Sequence, residues 1–133
     1  MLGPIFWAEI SRLETPAERK TAFRPDGEQT GWYPQDLGPI KEEGVVPKLL
    51  RRYPNLYAEL SNAANVLTRD AEYGPRFLTE SQDRLLFGTD ICFFEMPFRT
   101  MDILLEWGRA EKISQTVLNK IGRENAAALL GLQ

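Results

Sequence analysis

The residues best placed to do chemistry follow a short apolar run, Arg84 to Asp90 (RLLFGTD). Strand side chains alternate between two faces, so Leu86, Gly88 and Asp90 share one face. Asp90 then stands at the carboxyl end of the strand, where α/β folds build their sites. A carboxylate there can bind a metal ion or take a proton from metal-bound water, and Gly88 beneath it leaves room for a ligand. An aspartate that only caps a turn has the same pattern, so the residues alone leave both interpretations open.

Three further features could contribute to such a site, and each has a structural alternative. Glu59 could face the same end beside Asp90, or it could be ion-paired or turned to solvent. Cys92 could be a soft metal ligand or a reactive thiol, or simply a small semi-buried residue. The apolar loop at residues 93–98 could line a pocket for an aromatic acid, or it could dock against neighbouring loops.

The chain contains no histidine, and this restricts its chemistry more than any other property. Ser-His-Asp and Cys-His catalysis are excluded within the chain. Any metal site is left to carboxylates, Cys92 and backbone oxygens. Imidazole ligands or bases would have to come from elsewhere.

The elements that must position these residues begin after a loop-rich region. The first 47 residues hold six of the nine prolines and five of the ten glycines, so regular structure there is short. Beyond Gly44 we predict a helix that holds Pro47 in its first turn and stops at Tyr53-Pro54. A strand over residues 55–61 and a helical stretch around residues 63–67 follow, and Tyr73-Gly74-Pro75 indicates a turn.

The second half of the chain predicts one strand and then helices. Residues 84–90 read as a strand that is buried on both faces. A helix over residues 98–109 places Met101, Leu104 and Leu105 on one stripe, with Gly108 near its end. Ser114 caps the next helix, which Gly122 ends or breaks. Asn125 caps a last short helix that Gly131 closes.

This alternation of helices and strands predicts an α/β fold with a parallel sheet. Two parallel strands would expose unpaired edges on both sides. The pattern therefore indicates a piece of a larger α/β sheet or barrel.

Composition sets the broad class. The chain has 133 residues, of which 43% are hydrophobic and 26% charged, with a net charge of −3, as expected for one folded domain. No apolar run approaches the roughly 18 residues that a membrane span needs. The acidic balance gives no electrostatic footprint for nucleic acid or an anionic membrane. A single cysteine and the lack of a signal sequence favour a reducing, cytoplasmic setting.

An ordered set of motifs resembles the C-terminal end of a known family. The set comprises YPNLYAELS, RFLTESQDRLLFGTDIC and, after ILLEW, the stretch KISQTVLNKIGRENAAALLGL. Together these resemble the amidohydrolase-related family of metal-dependent TIM-barrel hydrolases, over roughly Gly44 to Leu132.

The resemblance implies a partial (β/α)8 TIM barrel, with NLYAELS as strand seven and RLLFGTD as strand eight, flanked by helices. Asp90 matches the family's aspartate after strand eight, which ligates a divalent metal, often zinc, or acts as general acid/base on the activated water. Some relatives decarboxylate their substrates instead. The family's His-x-His and its later histidines have no counterparts here.

These implications lead to four expectations. Residues 1–133 would form one incomplete domain, with residues 1–43 loop-rich and residues 44–133 supplying the last βα units of a barrel that typically needs about 250 residues. The gene product would be truncated or split. The chain alone would be inactive and would not bind zinc tightly, whereas the complete enzyme would act on a small molecule. The rival hypothesis is a non-catalytic interaction domain that pairs its strand edges with a partner or with itself.

Overall fold

The computed structural model describes residues 39–61, 63–91, 94–95 and 99–132. The loop-rich segment predicted from the first residues therefore lies almost wholly outside the described part. Six α-helices, two β-strands, one 3-10 turn and one π turn are described: α1 (Val45–Arg52), β1 (Ala58–Glu59), α2 (Ala64–Thr68), α3 (Tyr73–Glu80), the 3-10 turn (Gln82–Arg84), β2 (Leu85–Leu86), α4 (Arg99–Arg109), α5 (Gln115–Asn119), the π turn (Lys120–Glu124) and α6 (Asn125–Leu130). No described helix has the length and apolar character needed to cross a membrane.

The two strands pair in parallel, as the alternation of elements predicts. Ala58 lies opposite Leu85, and Glu59 lies opposite Leu86. The Leu60 N–H donates to the Leu86 carbonyl at 2.8 Å, which continues the pairing by one residue. Both strands are shorter than predicted. The mixed helix and strand content fits an α/β fold, and the two strands form one two-stranded sheet among the described residues.

Burial along the strands follows the expected alternation in β1 and departs from the prediction in β2. Ala58 and Leu60 are buried while Glu59 between them is exposed. In β2, Leu85 is fully buried, but the side chain of Leu86 on the other face is only half-buried. The prediction that this strand is buried on both faces is therefore wrong for the described structure, since only Leu85 is fully buried.

The predicted turn at Tyr73-Gly74-Pro75 is wrong, since these residues form the first turn of α3. Asp70 accepts hydrogen bonds from the backbone N–H groups of Glu72 and Tyr73, at 3.0 and 2.8 Å, and so satisfies donors at the start of the helix. Pro75 is tolerated because first-turn N–H groups have no partner within a helix. Gly74 permits close packing, because a Cβ there would lie 2.3 Å from the Leu67 carbonyl oxygen.

One apolar core joins the strands to the helices on their covered side. Its members come from every helix except α6 and from both strands. On α4 the buried residues are Thr100, Leu104 and Trp107, whereas Met101 and Leu105 of the predicted stripe are exposed. The Trp107 side chain is part of the core. The buried face of α4 therefore shares only Leu104 with the predicted stripe.

The C-terminal helices confirm three predicted signals and correct one. The Ser114 hydroxyl accepts from the Val117 N–H at 3.3 Å and caps α5, and Gly131 follows α6 in the left-handed conformation, with φ of 66°. Asn125 does not cap α6, because it has helical backbone angles and follows the π turn without a break. Gly122 lies within the π turn that interrupts the α-helix between α5 and α6, so the predicted break is confirmed.

Candidate functional site

The candidate site is built at the carboxyl ends of the two parallel strands. Parallel pairing brings these ends to the same edge of the sheet, so residues just after β1 and β2 become neighbours. Glu59 and Ser61 come from the first strand, and Gly88 and Asp90 from the second. The edge that carries sites in α/β folds is therefore the edge that holds Asp90.

The carboxylate of Glu59 lies across the second strand, above Gly88. A Cβ placed on Gly88 would come within 1.4 Å of Glu59 Oε1 and 2.8 Å of Ser61 Oγ. The Ser61 hydroxyl donates a hydrogen bond to Glu59 Oε1. The space that Gly88 was expected to leave for a ligand thus holds the Glu59 side chain. The Glu59 side chain is exposed and contacts Gly88 and Ser61, and its predicted place beside Asp90 stays a prediction.

Asp90 is exposed beyond Gly88 and has an unusual backbone conformation. Its φ of 52° lies in the left-handed region, which few residues other than glycine, asparagine and aspartate adopt. The left-handed residue therefore lies four positions beyond Leu86, the last residue of β2, which ends earlier than the predicted strand. Such conformations are enriched at functional sites, where the surrounding structure holds them in place.

Several candidates from the sequence fall outside the described residues. These are Cys92, Phe93, Met96 and Phe98, so their predicted roles stay predictions. Phe94, which is described, has a fully exposed side chain. Ser61 is the site residue that sequence reasoning missed. Its signal was its position two residues after Glu59, on the same face of the strand.

The described residues do not form a metal centre. Zinc sites in proteins use three or four ligands drawn from cysteine, histidine and carboxylate side chains. No group of three such side chains that could hold a metal ion occurs among the described residues. The chain also has no histidine to complete one. At the strand ends, Glu59 and Asp90 offer only carboxylates, so this part of the chain does not fit a zinc site by itself.

A second polar cluster lies away from the strand ends, where the segment before α1 meets α3. Glu43 is paired with the Arg51 guanidinium and accepts a hydrogen bond from the Tyr73 hydroxyl at 3.0 Å. The Ile40 N–H donates to Asp70 Oδ2 at 2.9 Å. These contacts fasten residues 39–44 to α3, and the cluster is structural in character.

Each carboxyl in this cluster has a lowered pKa, and the tyrosine has a raised one. The Arg51 side chain holds the pKa of Glu43 below its usual value. Hydrogen bonds from the N–H groups of Tyr73 and Ile40 lower the pKa of Asp70. Burial, reinforced by the hydrogen bond to Glu43, raises the pKa of Tyr73. The cluster therefore favours charged carboxylates and a neutral tyrosine.

Comparison with known proteins identifies one family. The model of the family described as Amidohydrolase matches residues 32–132, which include both strands, Glu59 and Asp90. No curated protein and no solved structure matches the chain. The family match covers well over half of the 133 residues and confirms the resemblance seen in the motifs. The chain belongs to the amidohydrolase family.

Proposed function

We propose that this chain supplies the C-terminal βα units of a metal-dependent hydrolase with a TIM barrel, and that Asp90 is its acid/base carboxylate. The observation that carries the proposal is the parallel register of the two strands, within a family match that spans both. In a barrel of this kind the two strands would be the seventh and eighth, and sites lie at the carboxyl ends of the strands. Asp90 has that position.

The proposed role of Asp90 is to move a proton. An exposed carboxylate at the mouth of the barrel can accept a proton from the attacking water and return it to the leaving group. Glu59 lies at the carboxyl ends of the strands, above Gly88, and adds negative charge there. Asp90 is also proposed as one ligand of a divalent metal, with zinc as the expected ion. Because the described residues do not complete a ligand set, the other ligands belong to the remainder of the barrel.

The first test is genetic and requires no protein. We expect the coding DNA within about 200 codons upstream of Met1 to encode an in-frame His-x-His after a predicted strand, since a barrel needs about 250 residues. Two further histidines should follow later strands. A start signal directly before Met1, with no such histidines upstream or in a neighbouring gene, would contradict the proposal.

The second test addresses Asp90 in the assembled enzyme. Asp90→Asn should lower kcat by at least about 100-fold, the usual contribution of a general acid/base. Asparagine also accepts the left-handed backbone, so the fold should be retained. The matched control is Asp83→Asn, which removes a carboxylate before the same strand, at its opposite end. That carboxylate pairs with Lys120 at 2.6 Å, away from the strand ends that form the site.

The comparison of the two variants is decisive for Asp90. Full activity in Asp90→Asn, or equal losses in both variants, would show that Asp90 has no chemical role. Identification of the products separates hydrolysis from decarboxylation, the alternative reaction, because only hydrolysis adds the elements of water across the bond that is cleaved. The interaction-domain alternative is favoured instead if no assembly with a second polypeptide restores activity and the chain forms a discrete, cooperative dimer.

A further inference from the structure

The edge of β2 that faces away from β1 is partly occupied by the chain's own C-terminal helical segment. Leu86 directs its carbonyl towards β1, where it accepts from the Leu60 N–H. Neighbouring residues in a strand direct their polar backbone groups to the opposite edge. The backbone N–H and C=O groups of Leu85 and Phe87 therefore point away from β1. We call this side the outer edge of β2, and a further strand would pair with it.

Three hydrogen bonds join the C-terminal segment to residues 82–87. The Phe87 N–H donates to the Ile121 carbonyl at 2.9 Å. The side-chain amide of Asn125 donates to the Leu85 carbonyl at 2.8 Å and to the Gln82 carbonyl at 2.6 Å. Two successive outward-facing groups of β2 are thereby paired within the chain.

The π turn explains why the Ile121 carbonyl can accept a hydrogen bond from Phe87. In a regular α-helix, the Asn125 N–H would bond to the carbonyl of Ile121, four residues earlier. Here the Asn125 N–H bonds to the Lys120 carbonyl instead. The wider turn leaves the Ile121 carbonyl for Phe87, and it also aims the Asn125 side chain at the strand. Such single π turns inside helices frequently have a specific role.

We propose that the π turn and Asn125 form an intramolecular edge cap, defined here as the Ile121 carbonyl together with the Asn125 side-chain amide. Because the edge cap already bonds the Leu85 carbonyl and the Phe87 N–H, an added strand cannot pair with these two groups. A further parallel strand then adds only from the Phe87 carbonyl onward, on the part of the edge nearer Asp90. This limit on register rests on the proposed function, because it concerns the strand that closes the barrel; the edge cap itself does not.

Amide hydrogen exchange on the full chain tests the edge cap without any assay of activity. We expect the Phe87 N–H to exchange at least about 100-fold more slowly than an exposed amide, at a rate that does not change with protein concentration. The Thr89 N–H, further along the same edge, should exchange faster than that of Phe87. Rapid exchange at Phe87, or protection that disappears on dilution, would overturn the edge cap. Equal protection of Thr89 would overturn the limit on register.

Two variants test which groups form the edge cap. Asn125→Leu removes the donated hydrogen bonds and keeps four side-chain heavy atoms branched at Cγ. Deletion of Gly122 shortens the π turn towards a regular α-helix. Each should accelerate exchange at Phe87 by about tenfold or more, as expected for loss of roughly one hydrogen bond. Exchange at Leu60, which bonds to Leu86 on the inner edge, reports whether the fold is intact. Unchanged exchange at Phe87 in both variants would overturn the assignment.

Gly122→Ala is the matched control for the deletion. A Cβ at this position meets nothing within 4 Å, so the π turn should be retained and exchange at Phe87 should match that of the original chain. If a variant unfolds, Leu60 loses protection as well, and the concentration dependence in the unmodified chain then decides. In the assembled enzyme, the limit on register predicts new protection at Thr89 with no change at Phe87. Asp90→Asn addresses the proposed function separately, since it leaves the edge cap untouched.

Discussion

Asp90 combines an ionisable side chain with a backbone conformation that most residues avoid. The left-handed conformation occurs four residues after the end of β2, and the residue is exposed. The motif FGTD predicts a carboxylate at the end of a strand, because a short apolar run ends there. It does not predict the backbone conformation, since aspartate occurs in many turn geometries.

The contact between Glu59 and Gly88 could not be predicted from either residue alone. The sequence pattern indicates Glu59 as a possible site carboxylate and, separately, Gly88 as a source of space. In the structure the Glu59 carboxylate fills the space above Gly88. Their contact depends on the register of two strands that lie almost thirty residues apart, and no local pattern specifies that register.

Glu111 offers a prediction about stability at the level of one residue. It follows α4 with φ of 56°, while the N–H groups of Glu111 and Lys112 bond back to the carbonyls of Gly108 and Trp107. This hydrogen-bond pattern at a helix end normally has glycine at the left-handed position. Glu111→Gly should therefore raise the free energy of unfolding by about 1 kcal/mol relative to Glu111→Ala.

Urea unfolding of the two Glu111 variants provides the measurement, because both lose the same charge and differ only in the Cβ. Equal stability of the glycine and alanine variants would show that the left-handed conformation is not maintained in solution.

At the scale of elements, side-chain hydrogen bonds decide where a helix begins and which residues cap it, and helix and strand propensities do not specify either. Asp70 converts an apparent Gly-Pro turn into a helix start, because it accepts from two N–H groups of the first turn. Asn125, a good capping residue by type, instead crosses to β2. Ser114 and Gly131 perform the local roles predicted for them, since their partners lie within a few residues along the chain.

The contact between residues 39–44 and α3 predicts a dependence of stability on pH. The folded state lowers the pKa of both Glu43 and Asp70, whose usual values are 4.5 and 3.8. A lowered folded pKa stabilises the protein above the usual pKa and loses this contribution as the pH falls through the folded pKa. The free energy of unfolding should thus decline below about pH 4 to 5 as these carboxyls gain protons.

Urea unfolding between about pH 6 and pH 3 measures this loss. Asp70→Asn should be less stable than the original chain at neutral pH and should show a smaller decline on acidification. An identical decline in both proteins would mean that Asp70 does not contribute.

At the scale of the whole molecule, the described residues contain the candidate acid/base group but no complete metal centre. The chain lacks histidine, and no group of three suitable side chains lies together in the described part. The isolated chain should therefore bind zinc more weakly than about 1 μM at neutral pH, because tight sites need three or four ligands.

Isothermal titration calorimetry on the 133-residue chain tests this expectation. Cys92→Ser is the control for weak binding at the single thiol, which lies outside the described residues. A submicromolar affinity that survives this substitution would contradict the view that the ligand set is completed by the rest of the barrel.

The sequence by itself determined those properties that depend on neighbours along the chain. These include the order of helices and strands, the parallel relation of the two strands, the helix signals at Ser114 and Gly131, and the place of Asp90 after a strand. Periodicity and capping act over a few residues, so they can be recognised locally. The family motifs extended this information to function.

Only the tertiary structure decided which distant groups meet. The placement of Glu59 over Gly88, the bond from Phe87 to Ile121 and the contacts of Asn125 each join residues far apart in sequence. Such contacts arise because buried and partly buried polar groups must find partners somewhere in the fold. Many arrangements satisfy the local pattern equally well, and packing of the whole chain selects one of them.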